Sequence, residues 1–165
     1  MTLQDHFRTL ARYHVWATRR LLDEHVALLT EADYRRDCGL FFNSIHGTLN
    51  HLLVGEGLLW QRRFLEGVSP AGLKLDDEAE PDRARLAQRL KETAQAWQPY
   101  VERLSEADFD QPFHYATSKG EPMTAPFAAT LAHVFNHATH HRGQITAALT
   151  AMGHPSPVLD LIYML

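Results

Sequence analysis

The chain has a single cysteine, Cys38, among 165 residues. An internal disulfide is therefore impossible, zinc sites built from several cysteines are excluded, and a reducing compartment is expected. Long hydrophobic runs are also missing. No stretch approaches the ~20 apolar residues that span a bilayer, and the first residues carry no apolar run typical of a signal peptide. We predict a cytoplasmic protein without a membrane segment.

An excess of positive charge is absent as well. Sixteen Lys and Arg residues stand against 20 Asp and Glu residues, which gives a formal net charge of -4. Nucleic-acid-binding domains usually carry a basic patch, so no nucleic-acid partner is expected. The content of 45% hydrophobic and 22% charged residues is that of an ordinary soluble domain. At this length, we expect one domain covering residues 1–165.

Four segments show apolar residues at helical spacing, and no strand-rich region remains. This pattern predicts helices over about residues 2–29, 43–66, 82–104 and 124–152. Gly67 would end the second helix, and Thr124 would be the N-cap of the fourth, with Pro126 in its first turn. The connection over residues 67–81 is long and acidic, which suits a solvated crossover outside a bundle. The sequence therefore predicts an all-α four-helix bundle with a long crossover connection.

Four shorter segments also carry structural signals. Residues 29–34 (LTEADY) and 104–109 (LSEADF) are nearly identical, and the Ser or Thr three residues before Asp indicates a capped helical turn in each. Residues 112–122 alternate and turn at Lys119-Gly120, which predicts a small hairpin or flap. The apolar tail over residues 158–165 is expected to pack back on the core.

The densest chemistry lies in residues 133–144, which hold four of the eleven histidines. On a helix, His133, His137, His141 and Gln144 fall on one strip within roughly 80° of arc, with His140 just beside it. A histidine pair spaced i, i+4 can converge on one metal ion. The peptidase version of this motif needs Glu after the first His, where this chain has Ala138. The strip predicts a divalent-metal site without peptidase chemistry; the alternative is a set of histidines on a solvated helix flank.

A third ligand has to come from another helix, because catalytic zinc usually has three protein ligands and one open position. Residues 48–51 (TLNH) on the second helix echo residues 130–133 (TLAH) on the fourth, which favours facing positions for these helices. The histidines lie at the margins of the apolar stripes, so the site should occupy a groove that substrate can reach. Spacing alone leaves open whether His133 replaces one of its neighbours.

Glu56 falls near the centre of the apolar stripe of the second helix. A carboxylate there needs an arginine or a histidine as partner; alternatively, it orients a metal ligand or is itself a ligand. His14, His46 and His114 are interpreted as packing or surface residues.

Residues 13–17 (YHVWA), residues 51–60 with His51, Glu56 and Trp60, and residues 136–144 (NHATHHRGQ) together resemble the DinB family (DinB/YfiT-like proteins). The resemblance covers almost the whole chain. It implies a four-helix bundle, commonly a homodimer, in which His51, His137 and His141 hold a divalent ion, usually zinc or nickel. His133, His140, Gln144 and Glu56 are then candidates that support the ligands. The family commonly has Asn at the position of His14. The family name refers to induction by DNA damage, which concerns gene regulation and implies no DNA binding.

A metal with an open position can hold water or a thiolate and lower its pKa. Relatives of the fold include transferases that use thiols such as mycothiol and bacillithiol. The resemblance therefore implies metal-dependent thiol transfer or hydrolysis acting on a small molecule, with a low-molecular-weight thiol as one candidate. The alternative is a non-catalytic bundle that binds metal or dimerises.

Overall fold

A computed structural model describes residues 1–165. Six α-helices and one short hairpin follow each other along the chain: α1 (Leu3–Glu24), α2 (Glu31–Arg35), α3 (Ile45–Leu52), α4 (Gln61–Glu66), α5 (Arg83–Glu102), β1 (Pro112–Ala116), β2 (Pro122–Pro126) and α6 (Phe127–Ala151). A π-helical segment, Leu53–Trp60, joins α3 to α4 into one long helix. This long helix packs against α5 and α6, and α1 packs against the same two helices, so the predicted four-helix bundle is confirmed. None of the helices is long and apolar enough to cross a membrane.

Short polar side chains set where the helices begin. Thr2, Ser44 and Asp82 each accept a hydrogen bond from the backbone N–H three residues on, which satisfies a donor that the first turn leaves free. The long helix ends at Gly67, whose φ of 71° lies in the left-handed region that glycine adopts without strain. The polar boundaries predicted for these three helices agree with the structure.

The core consists of two apolar clusters. One is centred on aliphatic side chains such as Leu21, Ile45 and Leu149, and the other is rich in aromatic side chains such as Phe7, Trp97 and Phe135. A second set of buried side chains is polar: His14, His51, Glu56, His141 and Arg142. Buried polar groups are costly without partners, so this set marks the part of the bundle built for something other than packing.

The π-helical segment departs from the uninterrupted α-helix that the sequence predicted. The N–H of Gln61 bonds the carbonyl of Glu56, which is the i to i+5 pattern of a wider turn. Gly57 allows α5 to approach closely, because a Cβ at this position would lie 2.8 Å from Oγ1 of Thr93. Segments of this kind occur frequently at functional sites, and this one contains Glu56.

Two predicted boundaries were wrong. Thr124 does not cap the last helix: it lies in β2, where its hydroxyl contacts Nδ1 of His114 at 2.9 Å, and the hairpin continues to the Pro112–Pro126 pair. Strand pairing therefore delays the start of α6 to Phe127. The first helix ends at Glu24, and Val26–Leu28 form a separate 3-10 turn.

The connecting and terminal segments also differ from expectation. The acidic crossover is more than a solvated loop, because Glu78 contacts Nε2 of His46 at 2.6 Å and accepts a hydrogen bond from Arg35. The tail packs only in part: the Tyr13 hydroxyl donates to the carbonyl of Leu159 at 2.7 Å. Its last apolar side chains stay exposed: Ile162 at 69%, Tyr163 at 69% and Leu165 at 72%.

Replacing Gly57 by Ala tests the close approach of the π-helical segment to α5. The added methyl collides with Thr93, so we expect Gly57→Ala to lower the free energy of unfolding by about 1–3 kcal/mol. Gly143→Ala is the matched control, because a Cβ there meets nothing within 4 Å. It should raise stability by about 0.5–1 kcal/mol through helix propensity. Urea unfolding of both variants measures the difference; equal changes would contradict the predicted collision.

Candidate metal centre

Three histidines from two helices converge on one point. His51 lies near the end of α3, and His137 and His141 lie one turn apart on α6. One ring nitrogen from each falls within 4.8 Å of the others, and Nε2 of His51 is 3.0 Å from Nε2 of His137. No other histidine, cysteine, aspartate or glutamate joins the group. The i, i+4 spacing on α6 supplies two of the donors, and the packing of α3 on α6 supplies the third.

The second ring nitrogens of His51 and His141 face oxygen atoms. Nδ1 of His51 lies 2.8 Å from the carbonyl of Leu75, and Nδ1 of His141 lies 2.7 Å from Oε1 of Gln144. These oxygens only accept hydrogen bonds, so each Nδ1 carries the proton and donates it. The Nε2 atoms are left with free lone pairs, which is the tautomer that metal-binding histidines use.

The second ring nitrogen of His137, Nδ1, faces a carboxylate instead. This Nδ1 is buried without a hydrogen-bond partner, and Oε1 of Glu56, equally unpartnered, lies 3.9 Å away. A small movement closes this gap into a hydrogen bond that would also direct Nε2 of His137 toward the group. Glu56 is only 2% exposed, so it acts behind the histidine and is shielded from any substrate.

A chain of buried contacts continues from Glu56 through His14 to Arg142. Nε2 of His14 lies 3.1 Å from Oε2 of Glu56, and Nη1 of Arg142 lies 3.0 Å from Nδ1 of His14. Because a guanidinium only donates, Nδ1 of His14 accepts and its Nε2 carries the proton; Nε2 is close to the carboxylate but outside hydrogen-bond geometry. His14 was interpreted as a packing or surface residue rather than a ligand; it is buried outside the three-histidine group, and its side chain also links two buried charges. The expected histidine partner of Glu56 is present.

The protonation states of the group follow from burial and charge. Burial lowers the pKa of His51, and it lowers the pKa of His141 to about 4. Burial alone would raise the pKa of Glu56, but its contacts with His14 and His137 and the charge of Arg142 outweigh this and hold it at about 2. At neutral pH, two imidazoles with free lone pairs therefore stand beside an ionised carboxylate.

Two further contacts hold the rings, and the sequence did not reveal either. Phe42 stacks on His51, with ring centroids 3.9 Å apart and an interplanar angle of 16°. Gly55 leaves room for His137, because a Cβ there would lie 3.3 Å from Cε1 of that ring. Glycine within a helix was the available signal, since it costs helix stability and usually marks a close approach.

The remaining candidate residues lie around the group without joining it. His133 is exposed, with its ring 5.6 Å from that of His137. His140 is also exposed, and Nε2 of Gln144 donates to its Nε2 at 3.2 Å. A cleft of about 650 Å³ lies elsewhere, between α1, α6 and the tail. The three histidines lie where α3 packs on α6, with His137 partly exposed.

The fold and the group define a helical-bundle protein with a candidate site for a divalent metal. The sequence matches the DinB family over residues 3–165, and the chain belongs to that family. Protein DinB of Bacillus subtilis (strain 168) is 28% identical over 165 residues, covering 92% of this chain and 88% of the relative. The family resemblance predicted from the sequence is confirmed.

The structure of YfiT from Bacillus subtilis shares the fold. It is described as a probable metal-dependent hydrolase with an unusual four-helix bundle topology. The two structures superpose with a TM-score of 0.62 at 17% sequence identity, covering 92% of this chain and 89% of the neighbour. At this identity the likeness establishes the architecture of the bundle.

Removing His14 should affect both stability and metal affinity. His14→Ala leaves Glu56 and Arg142 as buried charges without their link, so we expect a loss of about 3–5 kcal/mol in unfolding free energy. Because Glu56 then no longer fixes His137, affinity for zinc should fall about 10–100-fold. His114→Ala, at an exposed position on β1, is the control and should change neither. Thermal melts and competition titrations with a zinc chelator measure both; a His14→Ala variant with unchanged zinc affinity would contradict the linkage.

Proposed function

We propose that this chain is a metal-dependent hydrolase of a small molecule. His51, His137 and His141 would each give Nε2 to one divalent ion, zinc or nickel. The observation that carries the proposal is the number of ligands: three histidines converge and no fourth protein donor completes the shell. Structural zinc sites are closed by four protein ligands, whereas catalytic sites keep one position open.

The residues fit such an ion on three counts. Two Nε2 lone pairs that face each other at 3.0 Å repel unless a cation or a proton lies between them. Imidazole also suits zinc and nickel among the divalent metals. The buried, unpartnered Nδ1 of His137 and Oε1 of Glu56 complete the pattern of a histidine ligand backed by a carboxylate.

The chemistry divides between the ion and the chain. A bound divalent ion lowers the pKa of a water molecule and polarises a carbonyl. The chain positions the ligands: the Leu75 carbonyl and the Gln144 amide accept from the second nitrogens of His51 and His141, and Glu56 faces that of His137 at 3.9 Å. Glu56 is too deeply buried to remove a proton from substrate. The site therefore suits small substrates better than peptide bonds, which need a carboxylate base beside the metal.

Hydrolysis is preferred over thiol transfer, although the same group would activate either nucleophile. The neighbour in fold is described as a probable metal-dependent hydrolase, which supports water as the nucleophile. Support for a low-molecular-weight thiol comes from the family resemblance alone. Assays with simple esters, run with and without added thiol, distinguish the two: hydrolysis needs no thiol, whereas transfer stops without it.

Elemental analysis of purified variants tests the ligand assignment. His51→Ala and His141→Ala each remove one of three donors, so we expect near-stoichiometric metal in the native protein and its loss in both variants. Activity on esters should fall by at least about a hundredfold in parallel. His140→Ala is the matched control, because its ring lies beside His141 but outside the group.

Retention of metal in both ligand variants would contradict the assignment. Metal bound without turnover of any ester, amide or thiol acceptor would instead favour a binding protein. Circular dichroism of each variant separates a lost ligand from a lost fold.

We also infer a homodimer, which the family resemblance and the exposed apolar tail support. Ile162 and Tyr163 are each 69% exposed, an unusual loss of apolar burial for side chains of this size. Light scattering should give twice the chain mass for the native protein and a single chain mass for Ile162→Asp. Leu65→Asp, at another exposed apolar position, should leave the dimer intact. A native monomer would refute the inference.

A further inference from the structure

Arg63 is a cation without an anionic partner, close to the histidine group. Its guanidinium lies 4.5 Å from the ring centroid of Trp60 and 4.5 Å from that of Tyr115. It is partly buried, and burial lowers its pKa with no carboxylate opposing the change. The neighbouring Arg62, by contrast, is exposed and paired with Glu66 at 2.7 Å. Arg63 is thus held in place without charge neutralisation.

The guanidinium is oriented by a specific set of contacts. Its Nε donates to Oγ of Ser69 at 2.8 Å, and that hydroxyl donates to the carbonyl of Ala116 at 2.6 Å. Ser69 therefore anchors the arginine to the end of β1. The two terminal nitrogens have no protein acceptor, so their N–H groups remain free as a planar fork. This fork matches the two oxygens of a carboxylate or a phosphate.

A line of rings connects Arg63 to the histidine group. The ring of Trp60 lies 5.2 Å from that of His133, and His133 lies 5.6 Å from His137. Taken together, the successive separations from Arg63 to Trp60, His133 and His137 place the guanidinium no more than about 15 Å from the His137 ring.

We propose that Arg63 binds an anionic group of the substrate, a carboxylate or a phosphate, while the bond to be hydrolysed lies at the three histidines. The inference rests on the proposed function and narrows its substrate to an anionic ester or amide. Trp60 and His133 would line the path of the carbon chain between the two ends. In hydrolysis, the bond from the acyl carbon to the leaving oxygen or nitrogen breaks. The oxygen of water bonds to that carbon, and a proton of the water goes to the leaving group.

Calorimetry with simple acids tests the binding of the anion directly. The probes are the unbranched dicarboxylates from glutarate to suberate, each compared with the monocarboxylate of equal carbon number. A dicarboxylate of suitable length can reach the zinc and Arg63 together, whereas a monocarboxylate reaches only one. For zinc-loaded native protein, we expect the best dicarboxylate to bind about tenfold more tightly than its monocarboxylate, the gain from one charged hydrogen-bonded contact.

The matched variants are Arg63→Gln and Arg62→Gln, each of which removes one positive charge. Arg63→Gln should abolish the preference for the dicarboxylate, and Arg62→Gln should keep it. Arg63→Lys keeps the charge but loses the fork and should retain only part of the preference. Thermal melts check that each variant is folded. An unchanged preference in Arg63→Gln, or an equal loss in Arg62→Gln, would overturn the proposal.

Ester hydrolysis separates failure of this inference from failure of the proposed function. The substrates are the 4-nitrophenyl monoester of the preferred diacid and the 4-nitrophenyl ester of the matched monoacid. Arg63→Gln should lower kcat/KM about tenfold for the anionic ester and leave the neutral ester unchanged. If native protein and Arg63→Gln hydrolyse each ester at the same rate, the proposed hydrolase function is supported and the anion site is refuted. If the protein holds no metal, the proposed hydrolase function is refuted. The anion site is then tested separately, because monocarboxylate binding that survives in Arg63→Gln would refute it.

Discussion

Three imidazole lone pairs aimed at one point are the constraint on which the rest of the site depends. Two of the nitrogens lie 3.0 Å apart, which requires a cation or a shared proton between them. The chain holds the rings from three directions: hydrogen bonds to the Leu75 carbonyl of the crossover and to Gln144 on the next turn of α6, and the Glu56 carboxylate 3.9 Å from His137. Segments that are distant in the sequence therefore hold the three histidine rings in one arrangement.

Burial of the Glu56 carboxylate is the most destabilising part of this arrangement. An ionised group at 2% exposure is costly unless it is paired, and here His14 and Arg142 provide the pairing from α1 and α6. On an ideal α-helix, His51 and Glu56 would point about 140° apart. Both side chains nevertheless contact His137. The wider π-helical turn, in which Gly55 and Gly57 leave room for neighbouring side chains, allows this within one continuous helix.

Periodicity was sufficient to predict the bundle and the histidine strip, because spacing of 3.6 residues fixes which side chains share a helical face. It could not predict the π-helical segment, since no local sequence rule distinguishes an i to i+5 turn from an α-helix. Thr124 was misassigned because a good capping residue is also a good strand residue, and only the pairing with His114 decides between them. The roles of His14, Phe42 and Arg63 depend on contacts between distant segments, which single-sequence patterns do not contain.

The proposed anion site at Arg63 and the proposed metal site at the three histidines would give this protein one recognition end and one reactive end. The central claim about the metal site is that its three histidines leave one coordination position of the ion open. X-ray absorption at the metal edge of the purified protein tests this claim most directly. We expect scattering from three imidazole rings and at least one further light atom at the distance of a bound water. A shell completed by a fourth protein ligand, or one without three imidazoles, would contradict it.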